Sequence, residues 1–264
     1  MTIVVKVGGA VGNSARPVVS DLAGRTDFVL VHGGSKEVDE LGTALGRPAE
    51  YYTSPSGVVS RRSDAAHLEV VVLALAGKVQ TELVAELGRQ GVRAVGLSGV
   101  DDRLLIARRK EGARAVVRGR TVHLADDLSG TVERVNDGLL RQLLGAGIAP
   151  VVGPPAVTES GQLVNVDADR VAARVAVSLG AEALLLLTNV PGLLRDPEDP
   201  ASLVPKVGPG EFEAALAFAR GRMRKKLLAA REAREGGVPR VVIAASAGTT
   251  PVGAALRGQG TVFE

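Results

Sequence analysis

Two lysines at opposite ends of the chain sit beside the residues best suited to hold an anion. Lys6 lies in the apolar run Ile3-Val4-Val5-Lys6-Val7, which opens into Gly8-Gly9. A second pair, Gly33-Gly34, follows another apolar run and His32. Far downstream come Asn165-Val166-Asp167-Ala168-Asp169 and Gly221-Arg222-Met223-Arg224-Lys225-Lys226. Glycine after a strand lets the backbone bend towards a ligand, and the freed N–H groups can hydrogen-bond phosphate oxygens. A lysine turned inward from an apolar strand needs an anionic partner, because an unpaired buried charge is costly. Glycine pairs after strands together with distant lysines are what a site needs to hold a phosphoryl group in transit without a P-loop. The combination points to a small-molecule kinase.

Each of these features also has a plainer reading. Gly-Gly after a strand is usually a turn. Lys6 could face solvent from an edge strand. Lys226 has basic neighbours and fits a solvated helix face. Asp167 fits an ordinary helix N-cap. Asp169, one turn further in, is harder to place as a cap and could pair with lysines.

Composition narrows the chemistry. With 264 residues the chain can form one large α/β domain or two small ones. Aromatic residues make up only 2% of it, so the core must be aliphatic, and there is little to stack nucleic-acid bases. The chain has no cysteine, which excludes disulfides, zinc-thiolate sites and thiol nucleophiles and suits a cytoplasmic protein. Three histidines argue against a histidine metal cluster, and no metal site is expected. The first residues read as a strand rather than a signal peptide, and no apolar stretch is long enough to span a bilayer. The expectation is a soluble, untargeted protein with no membrane or nucleic-acid partner. The net charge is only +3, but it is unevenly placed. Arg108-Arg109-Lys110, Arg114, Arg118 and Arg120 form one cluster, and residues 220–226 form another. Either can be a solvated face or a patch for an acidic partner.

Strand-like and helix-like segments alternate to the end of the chain. Strands are expected at 3–7, 28–31, 94–97, 149–152, 183–187, 240–244 and 261–263. Helices are expected at 35–45 with Ser35 as N-cap, at 64–90 with a weak point or break at Gly77, and at 136–146, 167–179, 211–219 and 223–235. Short strands forming a hairpin are expected within 104–124. Residues 191–209 read as a long loop. Such alternation implies a mostly parallel α/β sheet with helices on both faces, and ligands outside the carboxyl ends of its strands. Both glycine pairs fall there.

The order Lys-Val-Gly-Gly, His-Gly-Gly, Arg-x-Ser-Asp, Asn-Val-Asp-Ala-Asp, Thr-Asn-Val-Pro-Gly-Leu and Arg-Met-x-x-Lys resembles the amino acid kinase family, in particular its N-acetylglutamate kinase branch. The resemblance runs from Lys6 to Gly260-Thr261. It implies a three-layer αβα sandwich, with a substrate-binding lobe over roughly residues 1–165 and a nucleotide-binding lobe over 166–264. It implies that Lys6 and Lys226 flank the transferred phosphoryl group and that Asp169 orients them. Gly8, Gly9, Gly33 and Gly34 would bind phosphate oxygens, the second pair also contacting substrate. Arg61 would hold the substrate's α-carboxylate, with Asn165 beside it. Thr188, Asn189, Gly192, Leu193 and Met223 would line the nucleotide, although Asn189 stands where relatives carry aspartate. ATP would bring its own Mg²⁺.

The segment 54–64, the run Gly96-Leu97-Ser98-Gly99-Val100-Asp101 and the basic residues after it resemble family members that phosphorylate an acid tethered to an amino-group carrier protein. That likeness implies 2-aminoadipate, or glutamate, linked through its amine to a small acidic carrier. Arg108, Arg109, Lys110 and Arg118 would then form a basic rim for the carrier, and residues 54–60 a wide loop. Free N-acetylglutamate is the rival substrate, and a non-catalytic amino-acid or carrier sensor on the same fold is a rival of another class. The resemblance also implies a homodimer. The chain opens on its first strand, without the N-terminal helix linked to hexamers and arginine control, so insensitivity to arginine is expected.

Overall fold

The computed structural model describes residues 2–9, 15–53, 59–111, 114–117 and 120–264. Its centre is an eight-stranded sheet. From one edge to the other the strands are Lys206–Val207, Thr261–Phe263, Arg240–Ala245, Ala183–Thr188, Ile3–Val7, Phe28–His32, Ala149–Gly153 and Ala94–Ser98. Every neighbouring pair is parallel except Arg240–Ala245 with Thr261–Phe263.

Side chains alternate between the faces of a strand, and here both faces are covered. Val4, Val29, Val31, Leu184, Leu186, Val241 and Ile243 belong to one core, with helices Ala168–Leu179 and Gly221–Glu235. Ile3, Val5, Val7, Phe28, Leu30, Leu185 and Leu187 belong to the other, with helices Arg16–Asp21, Gln80–Arg89 and Pro251–Leu256. This is the expected three-layer arrangement, and it explains why the central strands read as unbroken apolar runs rather than alternating ones. Lys6 shares its face with Val4, so its side chain enters the layer of Ala168–Leu179 and Gly221–Glu235.

A smaller sheet, ordered Leu163–Val164, Ala156–Val157, Leu105–Arg109, Gly130–Val135, packs beside the main one. Hairpins join Tyr51–Thr53 to Val59–Arg61 and Arg114–Val117 to Arg120–His123, the second within the expected 104–124 region.

Several local expectations are corrected. Gly77 does not break its helix; Ala65–Val71, Val72–Val79 and Gln80–Arg89 follow without interruption, the middle segment being a π-helix. Ser35 is not a cap but the first helical residue, and its hydroxyl donates to the Gly9 carbonyl at 3.0 Å. The 191–209 loop contains a short 3-10 helix, Pro200–Ser202, and supplies the edge strand Lys206–Val207. Of the expected wide loop at 54–60, residues 54–58 lie outside the described residues, and residues 59–60 belong to a strand.

Candidate active site

The carboxyl ends of Ile3–Val7 and Phe28–His32 deliver the two glycine pairs to one place. The Gly33 amide donates to the Val7 carbonyl at 3.2 Å, and the Lys36 amide to the Gly9 carbonyl at 2.8 Å. The pairs touch backbone to backbone, since a Cβ on Gly9 would lie 2.2 Å from Gly34 Cα. Gly34 has an extended φ of 176°, open to any residue. Space there is limited only by a side-chain tip, since a Cβ would meet Leu75 Cδ2 at 2.5 Å. The tip of a leucine can move, whereas the Gly34 backbone cannot without shifting a strand end. Gly9→Ala should therefore cost far more than Gly34→Ala. We expect kcat/KM to fall about 10²-fold, as displacements near 1 Å in an active site do, with a lower melting temperature, in a side-by-side kinetic and calorimetric comparison. Equal effects of the two substitutions would rule out the backbone contact as the cause.

Beneath the glycines lies the charged centre. Lys6, Asp169 and Lys226 are all buried, at 5%, 7% and 6% exposure. Both ammonium groups reach the same carboxylate oxygen, Asp169 Oδ1, at 2.8 Å each. Asp169 is the second residue of helix Ala168–Leu179, where the helix dipole also favours a negative charge. Burial opposes ionisation of Asp169, but Lys226 and Lys6 outweigh it and hold the carboxyl well below the usual carboxylate range. Two cations share one anion, so the centre carries an excess positive charge. Burial and then its neighbours bring the Lys226 ammonium down to about 8, with Asp169 resisting and Lys6 repelling. Lys6 is pushed the other way: burial would lower it, but Asp169 prevails and raises it. A buried site with one positive charge to spare suits a phosphoryl group.

The plain reading of Asp167 also holds. Its Oδ1 accepts from the Asp169 and Arg170 amides at 3.0 and 3.2 Å, an N-cap.

The remaining candidates are each held by local partners. Asn165 Nδ2 donates to Ser63 Oγ at 3.3 Å, and the Ser63 carbonyl takes the Leu128 amide at 2.6 Å. Arg61 is held by Asp39 at 2.6 Å and lies 5.6 Å from the Tyr51 ring centroid, so its guanidinium is positioned before any substrate arrives. Thr188 is buried at the end of its strand, with its hydroxyl 3.4 Å from Asn189 Oδ1. Gly192 and Leu193 are anchored by Thr261, whose hydroxyl accepts from the Leu193 amide at 2.8 Å and donates to the Val204 carbonyl at 2.6 Å. Met223, within helix Gly221–Glu235, packs against the core.

The basic rim divides into different roles. Arg108 pairs with Glu133 at 2.7 Å on the surface. Arg109 is structural in its contacts, donating to the Asp127 and Ala125 carbonyls at 2.7 and 2.6 Å. Lys110 makes no ion pair among the described residues and faces a cleft beside Asp167. Arg118 lies outside the described residues.

Three neighbours of the site carry no local sequence signal for their roles: Thr261, Ser35 and His32. The His32 ring is fully buried behind Gly33, and burial brings its pKa down to about 4, so it stays neutral. Among the described residues no group of three or more His, Asp or Glu side chains could hold a metal ion, and no helix is long and apolar enough to cross a membrane.

A mostly parallel αβα sheet with paired glycine loops over a buried Lys-Asp-Lys centre defines a class of phosphotransferase fold, and the chain belongs to the amino acid kinase family, whose sequence profile matches residues 1–245. It is 49% identical to the LysW-aminoadipate kinase of Deinococcus radiodurans, the match covering 98% of this chain and 90% of that one. It is 40% identical to the acetylglutamate kinase of Methanopyrus kandleri, covering 98% of each. Among solved structures, N-acetylglutamate synthase from Neisseria gonorrhoeae superposes with a TM-score of 0.76 at 27% identity, covering 99% of this chain but 59% of that longer one.

Proposed function

We propose that the protein uses ATP to phosphorylate the distal carboxylate of 2-aminoadipate, or glutamate, attached through its amino group to a small acidic carrier protein of the LysW type. The product is an acyl phosphate for lysine biosynthesis. The observation that carries the phosphoryl-transfer reading is the buried Lys6–Asp169–Lys226 centre under the glycine pairs. A substrate carboxylate is already ionised, so attack on the γ-phosphorus needs no general base. One P–O bond forms, the bond to ADP breaks, and no proton moves. What the chain supplies is charge and alignment: two ammonium groups against the transferred oxygens, backbone N–H groups of the glycine loops, and Arg61 with Asn165 to fix the acceptor. Mg²⁺ travelling with ATP would supply further charge neutralisation, and among the described residues no group of three or more His, Asp or Glu side chains is placed to hold a metal ion. In this reading residues 1–165 form the acceptor lobe and residues 166–264 the nucleotide lobe, with Thr188, Asn189, Gly192, Leu193 and Met223 along the nucleotide.

The tethered acceptor is supported by the likeness to the LysW-aminoadipate kinase and by Arg108 and Lys110 at the rim. Opposite charges at a rim chiefly speed association and are weakened by salt. A free acetylglutamate kinase is the second reading, supported by the 40% identical relative. A sensor without activity is disfavoured by the intact Lys-Asp-Lys centre. Cytoplasmic location and a homodimer belong to the same proposal; the 48% exposed Leu73 is a surface a second copy could cover.

The deciding experiment is ATP turnover with three acceptors: carrier-linked aminoadipate, carrier-linked glutamate and free N-acetylglutamate. We expect turnover with the carrier-linked acids alone, with a KM that rises with salt and rises again in Arg108→Glu/Lys110→Glu. The pair is chosen without Arg109, whose replacement would release two backbone carbonyls. Turnover with free N-acetylglutamate alone would instead establish the second reading. One methylene separates the two tethered acids, about 1–3 kcal/mol in a pocket, so their ratio measures chain-length preference directly.

A further inference from the structure

Beside the phosphoryl-transfer centre, but lined by none of its three charged residues, is an open cavity of about 120 Å³. One wall comes from the small sheet, through Lys110 and Thr131; the other comes from the first turns of two helices, through Asp167, Arg170 and Lys225. The walls are thus separated widely in sequence, and cations stand on both.

The charge here does not balance. Lys225 Nζ lies 3.7 Å from Asp167 Oδ2, a loose pairing, while the other oxygen of Asp167 is committed to the helix amides. Arg170 pairs with Glu232, which Arg174 also contacts, at 2.6 Å. Lys110 makes no ion pair among the described residues. Three cations, Lys110, Arg170 and Lys225, therefore line the cavity with one carboxylate, Asp167. Burial of its ammonium, then repulsion from Lys225, lowers the pKa of Lys110. By surface area Lys110 remains exposed, so the lowering is reduced by solvent. Like charges converging on an open, partly desolvated space are held more favourably once an anion enters, because the field of each is then compensated at short range.

We propose that this cavity binds a small oxyanion, phosphate or carboxylate, between Lys110 on one wall and Lys225 and Arg170 on the other. Such a ligand would tie the small sheet to the two helices that carry Asp169 and Lys226. The site would therefore couple anion occupancy to the geometry of the catalytic centre without contacting the reacting atoms. The inference does not depend on which acid the enzyme phosphorylates.

Site-resolved titration tests it. Inorganic phosphate, and separately acetate, are added to the ¹⁵N-labelled full chain, with sodium chloride at matched ionic strength as the reference. We expect the Thr131 and Arg170 amides to shift along saturating curves. Lys110→Met should weaken the apparent affinity at least fivefold, and Lys110→Arg should restore it. Saturation by phosphate alone assigns the site to phosphates; saturation by acetate as well assigns it to carboxylates. A dispersed spectrum confirms that each variant is folded, and the same curves recorded in Lys226→Met separate this cavity from phosphate held at the catalytic lysines. The proposal is overturned if the amides respond no more than they do to chloride, if Lys110→Met leaves the curves unchanged, or if the response disappears with Lys226 rather than with Lys110.

Discussion

Asp169→Asn should abolish phosphoryl transfer and destabilise the fold together, whereas Lys226→Met should abolish transfer and leave stability intact or improved. The contrast follows from one carboxylate serving two ammonium groups at 2.8 Å. Without its charge, Lys6 and Lys226 are left as buried cations with no counter-ion. Removing one member of a buried ion pair costs about 3–5 kcal/mol, and at about 2–4 °C per kcal/mol the melting temperature should fall on the order of 10 °C. Without Lys226, by contrast, a balanced pair of Lys6 and Asp169 remains in an apolar setting, and a strained excess charge has gone. Both variants should lose about 10²–10³-fold or more in kcat, the scale on which single stabilising groups act on a developing charge. Calorimetry beside steady-state kinetics checks this. If Lys226→Met lost as much stability as Asp169→Asn, the excess-charge account of the centre would fail.

The pH profile should carry the second large effect. Lys226, brought down to about 8, must be an ammonium to hold phosphoryl oxygens. In the free enzyme kcat/KM should therefore fall tenfold per pH unit above about 8. Lys226→Arg, always cationic, should lack this limb whatever its absolute rate. Stability should move the other way. Between about 8 and the ordinary lysine value of 10.5, the unfolded chain binds a proton at Lys226 that the folded chain has released, so this residue's contribution to stability rises with pH. Lys6, with its pKa raised, contributes stability that is lost only at still higher pH. Activity and stability diverging over the same interval would be hard to explain by general alkaline damage. A flat kcat/KM from pH 7 to 9.5 would show that Lys226 does not titrate there.

What could be read from the sequence was local or chemical. The central strands announce themselves as short runs of β-branched and aliphatic residues, and the helices by their period. Lys6 was legible because a lysine inside such a run has few inexpensive ways to exist. Asp169 was legible because its neighbour Asp167 already fills the capping role. Pairings between distant segments were not legible. Nothing near Lys206–Val207 marks it as an edge strand, since its partner Thr261–Phe263 lies far along the chain. Thr261 gives no sign that it fastens Leu193, and Gly9 gives none that it touches Gly34 rather than merely turning. The basic run Arg108-Arg109-Lys110 shows the limit most clearly. Three adjacent cations read as one patch, but alternation along the strand and the reach of each side chain give them a surface ion pair, two backbone carbonyls and an open cleft.

The place of the first strand in the sheet bears on how the protein is made. Ile3–Val7 leaves the ribosome well before one of its two partners, Ala183–Thr188, which is synthesised some 180 residues later, Ile3 pairing with Ala183. At about 5–20 residues per second the nascent chain waits roughly 10–35 s before that edge can close. During this interval Phe28–His32 can cover one side, but the other presents unpaired amides and carbonyls on an apolar strand, the configuration most open to pairing with another chain. Truncations ending before Ala183 should therefore aggregate, and the growing polypeptide has a defined period in which a chaperone is most useful. The buried lysine that serves catalysis in the finished enzyme is, until then, the one charge in that strand, slowing but not preventing association of its exposed edge with neighbouring chains.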